Sequence, residues 1–225
     1  MEYSNVELSE MQKAYVECIQ NIFTRSPIQE EGFAESAKVL ADLGWSIPVG
    51  LTYSQITHLA LPGHKPEVVS ASIVDFYVKD NCAELEKLVS NTIGKDQMFQ
   101  PWNDVLEECL YTFRSERYLL LPPALLSIVE GYLSCKLGMF ASQAVRMIDP
   151  TKAKAETPYE HRVFATVWLS ISVLVSKFYK PIKFSGPEPD ELNRHWIVHG
   201  RSVSAEARTD SVKLFNVLGS LATMS

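Results

Sequence analysis

The run VFATVWLSISVLVS at residues 163–176 is the most apolar in the chain, and its reading decides the fold. A membrane crossing takes about 20 apolar residues, and this run has 14. A buried central helix over Pro158–Lys177 accounts for it better. Such a helix needs other helices to cover it, and the rest of the sequence supplies helical patterns and no strand-like alternation of any length. The fold class expected is therefore all-α, a helical bundle.

Outward on the N-terminal side, Asp149-Pro150 with Lys152 and Lys154 reads as a loop. Before it, Pro122-Pro123 starts a helix that runs to about Phe140. That helix carries Ser127, Gly131, Ser134 and Gly138 as a stripe of small side chains, which predicts close approach of a neighbouring backbone. Glu130 borders the stripe. A carboxylate on an apolar helix needs a partner, and orienting a histidine of the 191–201 stretch, pairing with Arg194, a structural salt bridge or an exposed turn would each account for it. Trp102, Val105, Leu106, Cys109, Leu110 and Phe113 put an apolar face on the preceding helix.

Nearer the N-terminus, Leu8, Met11, Tyr15, Ile19 and Ile22 recur at helical spacing over Val6–Arg25. Ser26-Pro27 and Gly44 bracket a second helix. Residues 45–51 read as a loop, Thr52 as the cap of a short helix to Leu61, and Pro62-Gly63 as a turn. Pro66–Asn91 predicts a longer helix. The polar segment 91–100 divides an N-terminal helical region, 1–98, from a motif-bearing part, 99–225, as two domains or as two pieces of one body.

On the C-terminal side, residues 179–190, YKPIKFSGPEPD, contain three prolines and a glycine and must form a loop. Tyr179, Lys180, Lys183 and Phe184 would let it touch a base and a phosphate backbone, although a plain connector is the simpler reading. Residues 191–201, ELNRHWIVHGR, follow. Asp190 or Asn193 can cap this helix and Gly200 end it. A last helix runs from about Ala205 to Leu221, with Val212, Phe215, Leu218 and Leu221 inward.

Within ELNRHWIVHGR, Arg194, His195 and His199 suit phosphate chemistry. A guanidinium fork fits phosphate oxygens, and an imidazole can take and return a proton near neutral pH. His195 and His199, four apart, share a helix face, whereas Arg194 lies about 140° around from His199. The three converge only if the arginine bends along the surface, the helix ends near Gly200, or a second subunit completes the site. Histidines four apart also match zinc spacing, but Trp196, Ile197 and Val198 lie between them, so the glutamate of H-E-x-x-H is missing and no metal is expected. No cofactor is expected either.

With its flanks, Leu192-Asn193-Arg194-His195 and His199-Gly200, the stretch resembles the HEPN superfamily of all-helical domains. Its ribonuclease members carry arginine, a polar residue, three further residues and histidine. The run YLLLPPALLSIVEGYL, 118–133, looks like the helix preceding that motif in a bacterial branch, with Glu130 as its acidic residue. The resemblance covers about 100–225, and LGWSIPVGLT at 43–52 extends it only faintly. It implies a homodimer with the cleft between protomers and metal-independent cleavage of RNA to a 2′,3′-cyclic phosphate. His199 would be the general acid or base, Arg194 would stabilise the phosphorane, and His195 with Asn193 would position groups. Glu130 would support them, and Arg201 and Lys183 would bind substrate. A toxin or phage-defence role with an antitoxin or defence-system partner is implied on the same ground. HEPN-like domains also serve as non-catalytic nucleotide- or RNA-binding and dimerisation modules, and a purely structural helix junction is a third reading.

Charge and cysteine content fit this picture. The net charge of −6 argues against coating nucleic acid by bulk electrostatics. Residues 1–150 hold 11 basic against 20 acidic side chains and residues 151–225 hold 10 against 7, so the motif lies in the basic part. That asymmetry fits a local phosphate site or simply a solvated face. Cys18, Cys82, Cys109 and Cys135 lie far apart without a C-x-x-C pair, predicting free thiols. The acidic start, MEYSNVELSEMQ, lacks the order of a secretory signal, and a soluble, cytoplasmic chain without a membrane partner is expected.

Overall fold

The computed structural model describes residues 27–95, 97–139, 148–157 and 162–224, and among these there are nine helices and no strand. The helix expected over Val6–Arg25 lies outside them. In chain order the helices are α1 (Pro27–Asp42), α2 (Tyr53–Leu59), α3 (Pro66–Lys95), α4 (Asn103–Arg114), α5 (Leu121–Lys136), α6 (Ile148–Glu156), α7 (Arg162–Phe178), α8 (Arg194–Val198) and α9 (Ala207–Ala222). Two 3-10 turns, Gln97–Trp102 and Tyr118–Leu120, precede α4 and α5.

The apolar run is a covered helix, as its composition predicts. Val167, Ile171 and Leu174 of α7 are buried to within 1%, and α7 packs against α1 and α6. Helix α9 fills the corresponding place on the other side, against α3 and α5. Phe215 of α9 meets the edge of Phe113 of α4, ring centroids 6.1 Å apart. One core joins Phe33 and Trp45 near the start to Leu218 and Leu221 near the end. The segment Tyr118–Lys136 is long and apolar enough to cross a membrane, but half of it is buried inside the molecule.

The loop after α1 is fixed by a buried polar bracket from α9. Asn216 is fully buried, and its Oδ1 accepts from the Tyr77 hydroxyl (2.6 Å) and the Val49 amide (3.0 Å). Its Nδ2 donates to the Ser46 carbonyl (3.1 Å) and Ser46 Oγ (2.8 Å). Every polar atom of this amide is used, which is the condition under which a buried amide stabilises rather than costs. It locks SIPVG, 46–50, onto the bundle.

Several helix ends fall where the sequence places them. Thr52 caps α2 with a capping box, its Oγ1 accepting from Gln55 N while Gln55 Oε1 accepts from Thr52 N. Gly44 follows α1, with Trp45 N donating to Leu40 O at 2.9 Å. Three expectations are corrected. Residues 148–156, expected as a loop at Asp149-Pro150, are helix α6; Pro150 is its third residue, where a missing N–H has no helical acceptor to lose. The helix from Pro66 runs past Asn91 to Lys95 and is kinked, because Asp80, Asn81 and Cys82 have φ of 51°, 57° and 64°. Asp and Asn tolerate that left-handed region, while nothing in the sequence marks Cys82 for it. At Gly131 of the small-residue stripe the Trp102 ring lies closest, and an added Cβ would stand 2.5 Å from Trp102 Cζ2. Ser134 turns its hydroxyl onto the Glu130 carbonyl at 2.7 Å. Helix α5 itself ends at Lys136, short of the expected Phe140.

Candidate functional site

Helix α8 has five residues, Arg194–Val198, too short to persist without its ends. Asn193 is its N-cap: Oδ1 accepts from Trp196 N at 3.2 Å, and Nδ2 donates to the Lys180 carbonyl at 3.0 Å. Asn193 is buried, and both ends of its amide are spent on backbone. It therefore sets where the helix begins and holds the end of α7 beside it. At the other end Gly200 has φ 65°, Gly200 N donates to Ile197 O (3.0 Å) and Arg201 N to Trp196 O (2.8 Å). This is the six-to-one closure of a Schellman turn, which needs a left-handed residue and so favours glycine. His199 is the C-cap and the chain leaves the helix directly after it.

The inner side of α8 carries Trp196 and Ile197, both 7% exposed. Behind them a cavity of about 1080 Å³ opens towards Ser70, Asp75, Arg208 and Lys213. Neither Arg194 nor either motif histidine lines it. The candidate site is on the outer side of the helix.

There His195 and His199 come together as their spacing requires, ring centroids 4.8 Å apart and planes 77° to each other. His199 is exposed and His195 half-buried. The loop residue Phe184 stacks on His195 at 4.4 Å with the planes 3° apart, and meets His199 edge-on at 5.8 Å. Arg201 brings its guanidinium carbon to 5.0 Å from the same Phe184 ring. Trp196 touches Phe184 edge-on from below, at 5.7 Å. The result is an open surface of two imidazoles, one phenyl ring and one guanidinium.

Arg194 goes elsewhere. Its Nε donates to Glu130 Oε2 at 2.8 Å and its Nη2 to Glu130 Oε1 at 3.1 Å, a two-pronged pair with α5. Both side chains are about a quarter exposed, 26% and 25%, so neither is sealed in the interior. Of the ways the three motif residues could meet, an early end to the helix is present, but it brings only the histidines together. Lys183 is exposed in the loop, where its carbonyl accepts from Gly186 N at 3.0 Å.

Tyr179 completes the surroundings of the ion pair. Its hydroxyl is shut off from solvent without a hydrogen-bond partner among the described residues. Burial pushes its pKa well above the ordinary phenol value, the Glu130 carboxylate pushes it further, and Arg194 opposes them. Phe184 was legible only as one aromatic residue in a basic loop. Nothing in the sequence pairs it with His195 across 11 positions, because a ring stack between a loop and a helix leaves no periodicity.

Among the described residues no group of three or more His, Cys, Asp or Glu side chains could hold a metal ion. Comparison with protein-family models, curated proteins and solved structures gives no match to this chain.

Proposed function

We propose that the chain is a HEPN-type endoribonuclease that cleaves RNA without a metal. The reading rests on one observation above the others: two imidazoles are held 4.8 Å apart on an open surface with Phe184 stacked on one of them. In the proposed reaction the RNA 2′-oxygen bonds to the adjacent phosphorus and the bond to the 5′-oxygen breaks. The 2′-proton goes to a base and a proton from an acid goes to the leaving 5′-oxygen. The products are a 2′,3′-cyclic phosphate and a 5′-hydroxyl. His199, the more exposed imidazole, is the general acid or base. His195 and Phe184 receive substrate, Arg201 and Lys183 attract its backbone, and Arg194 stabilises charge on phosphorus. A second protomer facing the first would bring two such surfaces to one RNA, and a toxin or phage-defence role with a protein regulator belongs to the same proposal.

A second reading has its own support. Arg194 is committed to Glu130 rather than directed at the histidines, which suits a non-catalytic RNA-binding or dimerisation module whose ion pair fastens α8 to α5. Incubation of the full chain with a mixed set of RNAs in EDTA, followed by end-group analysis, separates the two. Cyclic-phosphate ends that vanish in His199→Ala support the enzyme. Binding without cleavage, unchanged in His199→Ala, supports the module and ends the enzyme reading.

A further inference from the structure

The two sides of α8 differ in charge. Arg201 joins the histidines on the outer side, whereas the cavity behind the helix is acidic. Residues 151–225 hold seven acidic side chains, and five of them, Glu188, Asp190, Glu191, Glu206 and Asp210, line that cavity. Glu67 and Asp75 line it from α3. Against these seven carboxylates stand three cations, Lys177, Arg208 and Lys213. An excess of four negative charges is thus gathered around one cavity, in a chain whose total is −6.

Much of the polar wall is already spent on itself. Lys177 pairs with Glu191 at 3.1 Å and Lys213 with Asp210 at 3.4 Å. Ser204 donates to Asp210 and Ser202 to Glu188. The side chains of Glu67, Asp75, Asp190 and Glu206 have no partner among the described residues. What the wall still offers is chiefly acceptors, with Arg208 as its one uncommitted cation among the described residues. Such a wall repels phosphate. An ammonium group, with three donors and no acceptor, suits it.

The apolar lining narrows the choice. Phe178, Leu192, Trp196 and Ile197 border the cavity and are each at most 7% exposed. Methylene groups gain from leaving water against such a surface, and an inorganic cation would leave it unused. The volume of about 1080 Å³ holds a small organic ligand.

We propose that this cavity binds an aliphatic polyamine. Its ammonium groups meet the free carboxylates of α3 and of the 190–206 segment, and its methylenes lie on the apolar lining. What is recognised is positive charge repeated along a hydrocarbon chain. Asn193, Trp196 and Ile197 belong both to the lining and to α8 or its cap, so an occupied cavity braces the short helix from within. The site is separate from the histidine surface and stands whether or not the chain cleaves RNA.

Calorimetric titration of the full chain with spermine is the test. One spermine per chain is expected, with an affinity that falls as salt is raised. Glu67→Gln combined with Asp75→Asn, both exposed in the fold, should weaken binding about fivefold or more. Glu31→Gln combined with Glu35→Gln makes the same charge change on exposed positions of α1 outside the cavity and should leave binding unchanged. No saturable binding would overturn the site. So would equal weakening by the two double variants, the mark of diffuse attraction between an acidic chain and a polycation. Titrations with magnesium and with an oligolysine peptide decide the ligand class. Tighter binding of either one than of spermine, lost in the Glu67→Gln, Asp75→Asn variant, would overturn the polyamine assignment in favour of an inorganic cation or a basic peptide. Spermine should also slow deuterium exchange at the amides of 196–198, and unaltered exchange there would overturn the bracing of α8.

Discussion

His195 lies flat on Phe184, the two ring planes 3° from parallel and their centroids 4.4 Å apart. The stack joins a loop residue to a motif residue and gives the outer surface of α8 its only plate of aromatic area among the described residues. Phe184 is 39% exposed and so contributes little to the core. Phe184→Ala should leave Tm within about 2 °C while lowering kcat/KM on RNA about tenfold, on the scale of one lost base stack. Phe184→Tyr should restore it, and steady-state kinetics of the three proteins check this.

His199 sits at the C-cap, exposed, with its backbone N–H on the His195 carbonyl at 3.4 Å. Its side chain can be removed without disturbing the cap. His199→Ala should reduce cleavage about 10² to 10⁴-fold with the helical circular dichroism spectrum unchanged. Residual cleavage near the unaltered rate would move the proton transfer to another group.

Asn216 answers for five hydrogen bonds between α9 and the 46–50 loop or Tyr77. Asn216→Leu strands the Val49 amide and the Ser46 carbonyl together and leaves the Tyr77 hydroxyl with the Val49 carbonyl alone. A loss of about 2 to 4 kcal/mol is expected, since stranded buried polar groups cost more than the bonds they made. Urea unfolding measures it.

Gly131 lies under the Trp102 ring, where an added Cβ would stand 2.5 Å from Cζ2. An indole cannot bend aside as a flexible chain would. Gly131→Ala should cost about 1 to 3 kcal/mol through overpacking, visible as a lowered urea midpoint. Because Glu130 is the adjacent residue, the same variant should also reduce RNA cleavage if the α5–α8 ion pair matters to it.

Cys109 is buried, and burial first, with Glu108 second, pushes its thiol from 9.0 up to about 11. The folded chain therefore keeps this proton to higher pH than the unfolded chain does. The stability it contributes is complete below about pH 9 and is lost as pH rises through about 11. The free energy of unfolding measured across that window should fall less steeply in Cys109→Ala, and Cys109 should resist alkylation at pH 8 until the chain unfolds.

How much of this was legible from residues alone depends on whether the signal is local. The all-α class follows from three-and-four spacing and the lack of alternation, and the caps at Thr52, Asn193 and Gly200 follow from side chains acting on backbone a few positions away. The pairing of His195 with His199 is local in the same sense. Helix α6 was obscured because Pro150 reads as a breaker when its place in the first turn makes it harmless. The kink in α3 was obscured because an Asp-Asn pair permits a left-handed turn without demanding one. Glu130 was recognisable as a carboxylate in need of a partner, and pairing with Arg194 was one of the options its setting left open. The Phe184 stack and the idle Tyr179 hydroxyl were out of reach, since each depends on where a distant segment comes to rest.

The shortness of α8 has a consequence for how the site can be turned on and off. A single turn and a half makes almost no helix stability of its own, so the two imidazoles are held in place by the Asn193 cap on the Lys180 carbonyl, the Gly200 turn, the Arg194–Glu130 pair with α5 and the Phe184 stack. That pedestal can melt while the bundle beneath it stays intact, and the amides of 196–201 should exchange with deuterium well ahead of those of α9. A binding partner that merely loosened those tethers would silence the histidines without touching them.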